Sequence, residues 1–187
     1  MDIHRLTPER LNDFLDFFDN RAFTDNGDWS GCFCFFPYYD PATDGDWSER
    51  TAAENRAAMC DAVKAGAASG FLAYADGLVV GWCNAASRSS FPQLRNLPGD
   101  ADHTGATPCF VVDPEWRGKG VGHRLLAAAC EGLREDGMQT MEAGPQKNAK
   151  TARENSRGAM SMYVQAGYRV VQEFPDGTVV VEKPLTD

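Results

Sequence analysis

The sequence predicts an α+β fold with a mixed, mostly antiparallel sheet flanked by helices, and three observations predict it. Two pairs of apolar, β-branched runs sit about strong turn signals. Residues 71–75 and 78–86 flank Asp76-Gly77, and residues 168–174 and 179–183 flank Pro175-Asp176-Gly177, so each pair reads as a hairpin. Stretches with apolar residues three and four apart fall between the strand-like runs, as helices packed on a sheet require. Finally, a strand over 105–112 ends at Asp113-Pro114 and leads through a glycine-punctuated basic turn into a helix. The length of 187 residues suits one domain over 1–187.

Composition narrows the functional classes. A hydrophobic fraction of 43% with 24% charged residues belongs to a chain that buries a core. The net charge of −9 argues against a nucleic-acid partner, because a phosphate backbone favours a basic surface. No apolar run approaches the ~20 residues of a membrane span, and the first ten residues lack an apolar leader. A cytoplasmic protein without a membrane partner is expected. Its cysteines, 32, 34, 60, 83, 109 and 130, are scattered, as free thiols used as small hydrophobes would be. Cys32-x-Cys34 has no second Cys or His pair at ligand spacing, so no metal is expected.

In chain order, residues 2–6 read as a strand. Thr7-Pro8-Glu9 offers an N-cap, a proline at the first helical position and an acid in the first turn. Leu11, Phe14, Leu15 and Phe18 give the first helix its apolar face. From 22 to 49 there is no lysine or arginine. Six acids (Asp25, Asp28, Asp40, Asp44, Asp46, Glu49) lie among Trp29, Phe33, Phe35, Phe36, Tyr38, Tyr39 and Trp47. A long loop over about 22–48 with this much apolar area either caps the core or lines a site. Ser48 is the expected start of a second helix, whose alanines suggest close packing and which stops at Gly66. Residues 87–104, with Pro92, Pro98, Gly99 and His103, read as a second loop bordering the site. Val121, Leu125, Ala128 and Leu133 give the helix over 120–136 an apolar face. A strand over 138–143, a helix from about 151 or 156 to 166 and the second hairpin complete the chain.

The turn after residue 112 suits an anion. Gly118, Gly120 and Gly122 permit left-handed backbone and close approach of a ligand, and the following helix adds unpaired N–H groups and the positive end of its dipole. A Walker-type loop requires Gly-Lys-Ser/Thr, but Gly122-His123-Arg124 stands here. The dinucleotide fingerprint fails as well, because its third glycine would fall on His123 or Leu125. Arg117-x-x-Gly120-x-Gly122 after Val-Val-Asp-Pro resembles the acyl-CoA pyrophosphate motif of the GCN5-related N-acetyltransferases. Ala159-x-x-x-Tyr163-x-x-x-Gly167-Tyr168 resembles that family's late helix. The asparagine usual seven residues before the tyrosine is Ser156 here, with Asn155 one residue early.

The resemblance implies a sheet of about seven strands, splayed between strands 4 and 5, with about four helices, and acetyl-CoA as the acyl donor. Phe110, Val111 and Val112 would pair with the pantetheine arm. Arg117, Gly118, Lys119, Gly120, Val121 and Gly122 would cradle the pyrophosphate, and Asn155, Ser156 and Tyr163 would complete the cofactor contacts. Tyr163 would act as general acid and a backbone N–H near Val112 as oxyanion donor. The strand over 105–112 carries no carboxylate, so the base is a water relay, Glu142, His103 or an acid of the aromatic loop; Cys109 is an alternative covalent nucleophile. The acceptor is expected to be a small amine. Acids and ring faces near it suit a cation, and Trp29, Phe33, Phe35, Tyr38, Trp82 and His103 are its candidate contacts. A homodimer is compatible with this reading, and a non-catalytic acyl-CoA sensor remains the alternative function.

Overall fold

A computed structural model describes residues 1–185; the last two residues of the expected domain lie outside the described residues. Seven strands form one sheet: β1 (Asp2–Arg5), β2 (Gly70–Ala75), β3 (Leu78–Ser87), β4 (Thr104–Val112), β5 (Thr140–Ala143), β6 (Arg169–Glu173) and β7 (Val179–Pro184). Their order is β1-β2-β3-β4-β5-β7-β6. At the first hairpin Asp76 and Gly77 take φ of 52° and 78°, the left-handed pair that matches a turn to the twist of its strands. All neighbouring strands are antiparallel except β4 and β5. That parallel pair holds only Thr104–Ala106 against Thr140–Glu142. From Thr107 to Val112 β4 runs without β5 beside it, which is the expected splay.

The helices are α1 (Leu11–Asn20), α2 (Ala52–Lys64), α3 (Val121–Glu135) and α4 (Met160–Gln165). In α1 the buried residues are Leu11, Phe14, Phe17 and Phe18; Phe17 takes the fully buried place and Leu15 only a partial one. Thr51, rather than Ser48, starts α2. Its hydroxyl accepts from the Glu54 N–H at 3.2 Å while the Glu54 carboxylate accepts from the Thr51 N–H at 2.7 Å, a reciprocal cap that satisfies two otherwise unpaired donors. Ser48 instead lies in a short 3-10 turn, Trp47–Glu49, whose cap is Asp46. The contact face of α2 is Asn55, Met59 and Val63, spaced four apart, while Ala52, Ala53 and Ala57 are exposed. Ala58 and Ala62 pack partly against the core, as expected of the alanines, whereas exposed Ala53 and Ala57 supply helix propensity alone. α4 begins only at Met160, because Gly158 takes φ of 89° and Ala159 is extended; residues 151–157 form turns.

Two apolar layers cover the sheet. Phe14, Phe17, Phe18, Met59, Trp82 and Val111 fill one side under α1 and α2. Phe71, Leu125, Leu126, Leu133, Met141 and Tyr163 fill the other, where α3 and α4 lie. Gly70 marks how closely β2 and β3 approach: a Cβ there would stand 2.3 Å from the Cys83 carbonyl oxygen and from the Trp82 ring. Neither obstacle is the end of a flexible chain. Gly70→Ala is expected to cost about 1–3 kcal/mol, seen as a lower urea midpoint with an unchanged m-value.

Candidate functional site

The turn between β4 and α3 is built for close approach. Gly118 and Gly120 take φ of 73° and 80°, and no atom lies within 4 Å of where a Cβ would be on either. Gly120 caps α3 in the left-handed region without any side-chain cap, so the first-turn N–H groups face open space with the positive end of the helix behind them. A Cβ on Gly122 would meet only the Met162 Sδ, at 3.2 Å. Arg117 is engaged from behind. It donates to Asp25 at 2.5 and 3.2 Å and to the Val112 carbonyl at 3.2 Å, tying the aromatic loop to the end of β4. Its hydrogen bond holds the Asp25 carboxyl below the usual value. Lys119 lies over the Trp116 ring at 4.9 Å.

The cradle opens into a cleft of about 1580 Å³, more than one drug-sized ligand requires. One wall is the segment from Phe23 to Asn55, the floor is β4 from Pro108 to Val112, and the far wall is Lys150 to Ala159 with Met162. Along β4 the N–H groups alternate. Asp113 donates to Val80 on the β3 side, so those of Phe110 and Val112 point to the side that β5 has left. The Phe110 N–H donates to the Ser156 carbonyl at 2.7 Å. One residue on, the Arg157 carbonyl accepts from the Tyr163 hydroxyl at 2.6 Å, with Thr107 Oγ1 a further 3.3 Å contact. A single turn thus holds two groups of the expected site. Asn155 also lines the cleft, its amide donating to the Thr151 carbonyl at 2.9 Å.

Residues 34–168 match the profile of the Acetyltransferase (GNAT) family. The chain belongs to that family. Among solved structures, an N-acetyltransferase from Staphylococcus aureus Mu50 is 18% identical, covering 99% of this chain and 98% of its own at a TM-score of 0.60. The protein yncA from Salmonella typhimurium, solved with its cofactor acetyl-CoA, is 17% identical over 100% of this chain and 94% of its own, at 0.59. The aminoglycoside acetyltransferase AAC(6')-Ib, solved with coenzyme A, is 16% identical over 97% and 93%, at 0.63. At these identities the likeness shows the shared fold. No curated protein matches the chain in sequence.

The acyl donor of GNAT enzymes is acetyl-CoA, and the residues present fit it. The open left-handed glycines suit a pyrophosphate, and the Val112 N–H, directed into the splay, suits an amide or thioester carbonyl. Other expected contacts lie elsewhere. Glu142 pairs with Ala106 across the sheet, six residues before Val112 and so roughly 20 Å along the strand. Its carboxylate is held by Arg88 Nη1 at 2.9 and 2.8 Å, and it does not line the cleft. His103 precedes β4 at the end far from the cradle and bonds Asp100 at 2.8 Å. The second loop, 87–104, contributes nothing to the cleft wall, since buried Arg88 ties it to Glu142 and to the carbonyl of Pro98.

Of the proposed acceptor contacts only Trp29 lines the cleft, with the Arg153 guanidinium 5.3 Å over its ring. Phe33 packs on Phe18 in the core. Trp82 is fully buried beneath Phe14. The Tyr38 hydroxyl bonds Asn84 at 2.8 Å and accepts from the Ser69 N–H at 3.0 Å. Phe35 is buried and backs Arg50. The acids of the stretch are similarly engaged: Asp25 with Arg117, Asp40 with Arg95 and with the Ala42 N–H, and Asp46 with Ser48. Only Asp28 of the six reaches the cleft.

Two further features of the wall were not legible in the sequence. Cys34 and Cys109 bring their sulfurs to 2.8 Å, and burial, reinforced by Cys109, pushes the Cys34 thiol up; Cys32 nearby is pushed up to about 11 by burial. Arg50, Lys150, Arg153 and Arg157 make the wall richer in cations than in acids. No spacing rule marks a thiol pair 75 residues apart or a solitary arginine before a helix.

Burial pushes the Tyr163 phenol far above its usual value, so it stays protonated across the working pH range. Removing its hydroxyl leaves the Arg157 carbonyl without its donor. Tyr163→Phe is therefore expected to cost about 1–2 kcal/mol and to raise amide exchange at the Ser156 turn, measured by urea denaturation and hydrogen exchange.

Proposed function

We propose that this GNAT protein transfers an acetyl group from acetyl-CoA to a small amine directly, within a ternary complex. The observation that carries the proposal is the single cleft, bounded by the cradle at one end and the aromatic loop at the other and floored by the unpaired end of β4. Acetyl-CoA bound there supplies an activated thioester. In this reading the Val112 N–H polarises the thioester carbonyl. Val121 and Gly122 offer first-turn N–H groups to the phosphates.

Tyr163 is the proton donor in this scheme, acting once the turn that accepts its hydrogen bond has shifted. Burial keeps that proton in place until then. The remaining proton, from the amine, leaves through water in the open cleft, because β4 carries no carboxylate. Asp28 and Glu154 are the acids on the lining, and Glu154 already accepts from the Lys150 and Thr151 N–H groups.

Thiol release from acetyl-CoA with a panel of primary amines tests the proposal, alongside calorimetric titration with CoA. Wild type is expected to turn over at least one amine. Gly120→Asp, which sets a carboxylate where the pyrophosphate is proposed to lie, is expected to weaken CoA binding about tenfold or more. Unchanged CoA affinity in that variant removes the cradle from the scheme. Intact CoA binding with no thiol release for any amine turns the reading to a non-catalytic acyl-CoA sensor.

A further inference from the structure

We infer that the acceptor carries a carboxylate as well as its amine, and that Arg50 receives it; the inference rests on the N-acetyltransferase reading above. Arg50 stands on the cleft wall between the Trp47–Glu49 turn and α2, close to Trp47 and Phe36. Its Nε donates to Asn55 Oδ1 at 2.8 Å. Asn55 is 4% exposed and is itself held by donating to the Gly31 carbonyl at 2.9 Å. The guanidinium carbon lies 5.0 Å from the centre of the buried Phe35 ring. One edge of the guanidinium is therefore anchored and one face is covered, while among the described residues neither terminal nitrogen has a hydrogen-bond partner.

Three arginines on the cleft lining, Arg50, Arg153 and Arg157, form no ion pair among the described residues; among them Arg50 is the one held by a buried side-chain amide. With 27 acids against 18 lysines and arginines, acidic partners are plentiful: Arg5, Arg21, Arg56, Arg88, Arg95 and Arg117 all form ion pairs. Among the described residues Arg50 forms none. Its neighbour Glu54 is engaged in the cap of α2. A pinned, stacked guanidinium with a free fork at a cleft wall has the geometry for a two-point contact with a carboxylate, and its order is established before the ligand arrives.

Position separates Arg50 from the phosphates of CoA. Phe35, which it covers, follows Cys34, and the Cys34 sulfur touches that of Cys109 in the middle of β4. Arg50 thus belongs to the aromatic-loop side of β4, whereas the cradle lies beyond the strand's end at Gly118–Gly122. Of the six acids of the aromatic loop only Asp28 lines the cleft, where it stands against Arg50, Lys150, Arg153 and Arg157. A free amino acid satisfies both requirements: an amine to acetylate and a carboxylate for the fork.

The test uses the common L-amino acids and, for each, its C-terminal amide, which keeps the amine and removes the anion. Binding to the CoA-loaded protein is measured by calorimetry and turnover by thiol release, in wild type, Arg50→Gln and Arg50→Lys. At least one amino acid is expected to bind about tenfold or more tightly than its amide. Arg50→Gln should erase that preference, Arg50→Lys should restore only part of it, and CoA affinity should stay within about twofold throughout, which also reports correct folding. The inference falls if amides bind or react as well as acids, if no amino acid binds, or if Arg50→Gln weakens CoA instead of the acceptor. Carboxylate binding that depends on Arg50 without thiol release would uphold the anion site and overturn the catalytic reading.

Discussion

A strand inside a sheet needs a partner along each edge, and β4 loses one of its partners halfway. Pairing with β5 ends at Ala106 and Glu142, while pairing with β3 continues to Val112. The N–H groups of Phe110 and Val112 are left without a β5 partner in the middle of the molecule, where an unpaired backbone donor is costly. The rest of the site follows from that constraint. The chain brings the 150–158 segment to one donor, opens the cradle just past the other, and lays the aromatic loop over the opposite wall.

The aromatic loop serves two purposes at once. Phe33, Phe35 and Tyr39 are buried against α1 and the sheet, and Phe33 and Cys34 hold φ of 47° and 50°, a conformation that non-glycine residues adopt only under strong local packing. The same rigid stretch presents Trp29, Cys32 and Phe36 to the cleft. Its acids mostly tie it down, through Arg117 at one end and Arg95 at the other. The local excess of negative charge is consequently a means of fixing the loop rather than a field offered to a ligand.

Features carried by local backbone chemistry were legible in the sequence. Asp76-Gly77, the three glycines after Arg117 and Asp113-Pro114 each demand a particular backbone, and the hairpin, the left-handed turn before α3 and the strand end all stand where those residues predict. The Gly167 stop of the last helix was readable for the same reason. Its start was not, because Gly158 interrupts a pattern that helical periodicity alone would extend. Side-chain roles that depend on distant partners were hidden. Glu142 looked free until Arg88 closed on it from 54 residues away, and Trp82 looked available although Phe14 covers it. The boundary of α2 turned on which of two hydroxyls, Ser48 or Thr51, had its glutamate three residues on.

The Ser156–Arg157 turn makes the protein its own competitor. Whatever accepts from the Phe110 N–H in a complex has to take the place of the Ser156 carbonyl, so that contact is an exchange of one hydrogen bond for another and adds little net affinity. Because the turn is tethered, it competes at a high effective concentration, and observed affinity for any ligand of the splay scales with the fraction of molecules in which the turn has lifted. The next carbonyl of that turn, Arg157, accepts from the Tyr163 hydroxyl. The two hydrogen bonds, from the Phe110 N–H and from the Tyr163 hydroxyl, thus rest on adjacent carbonyls of one turn.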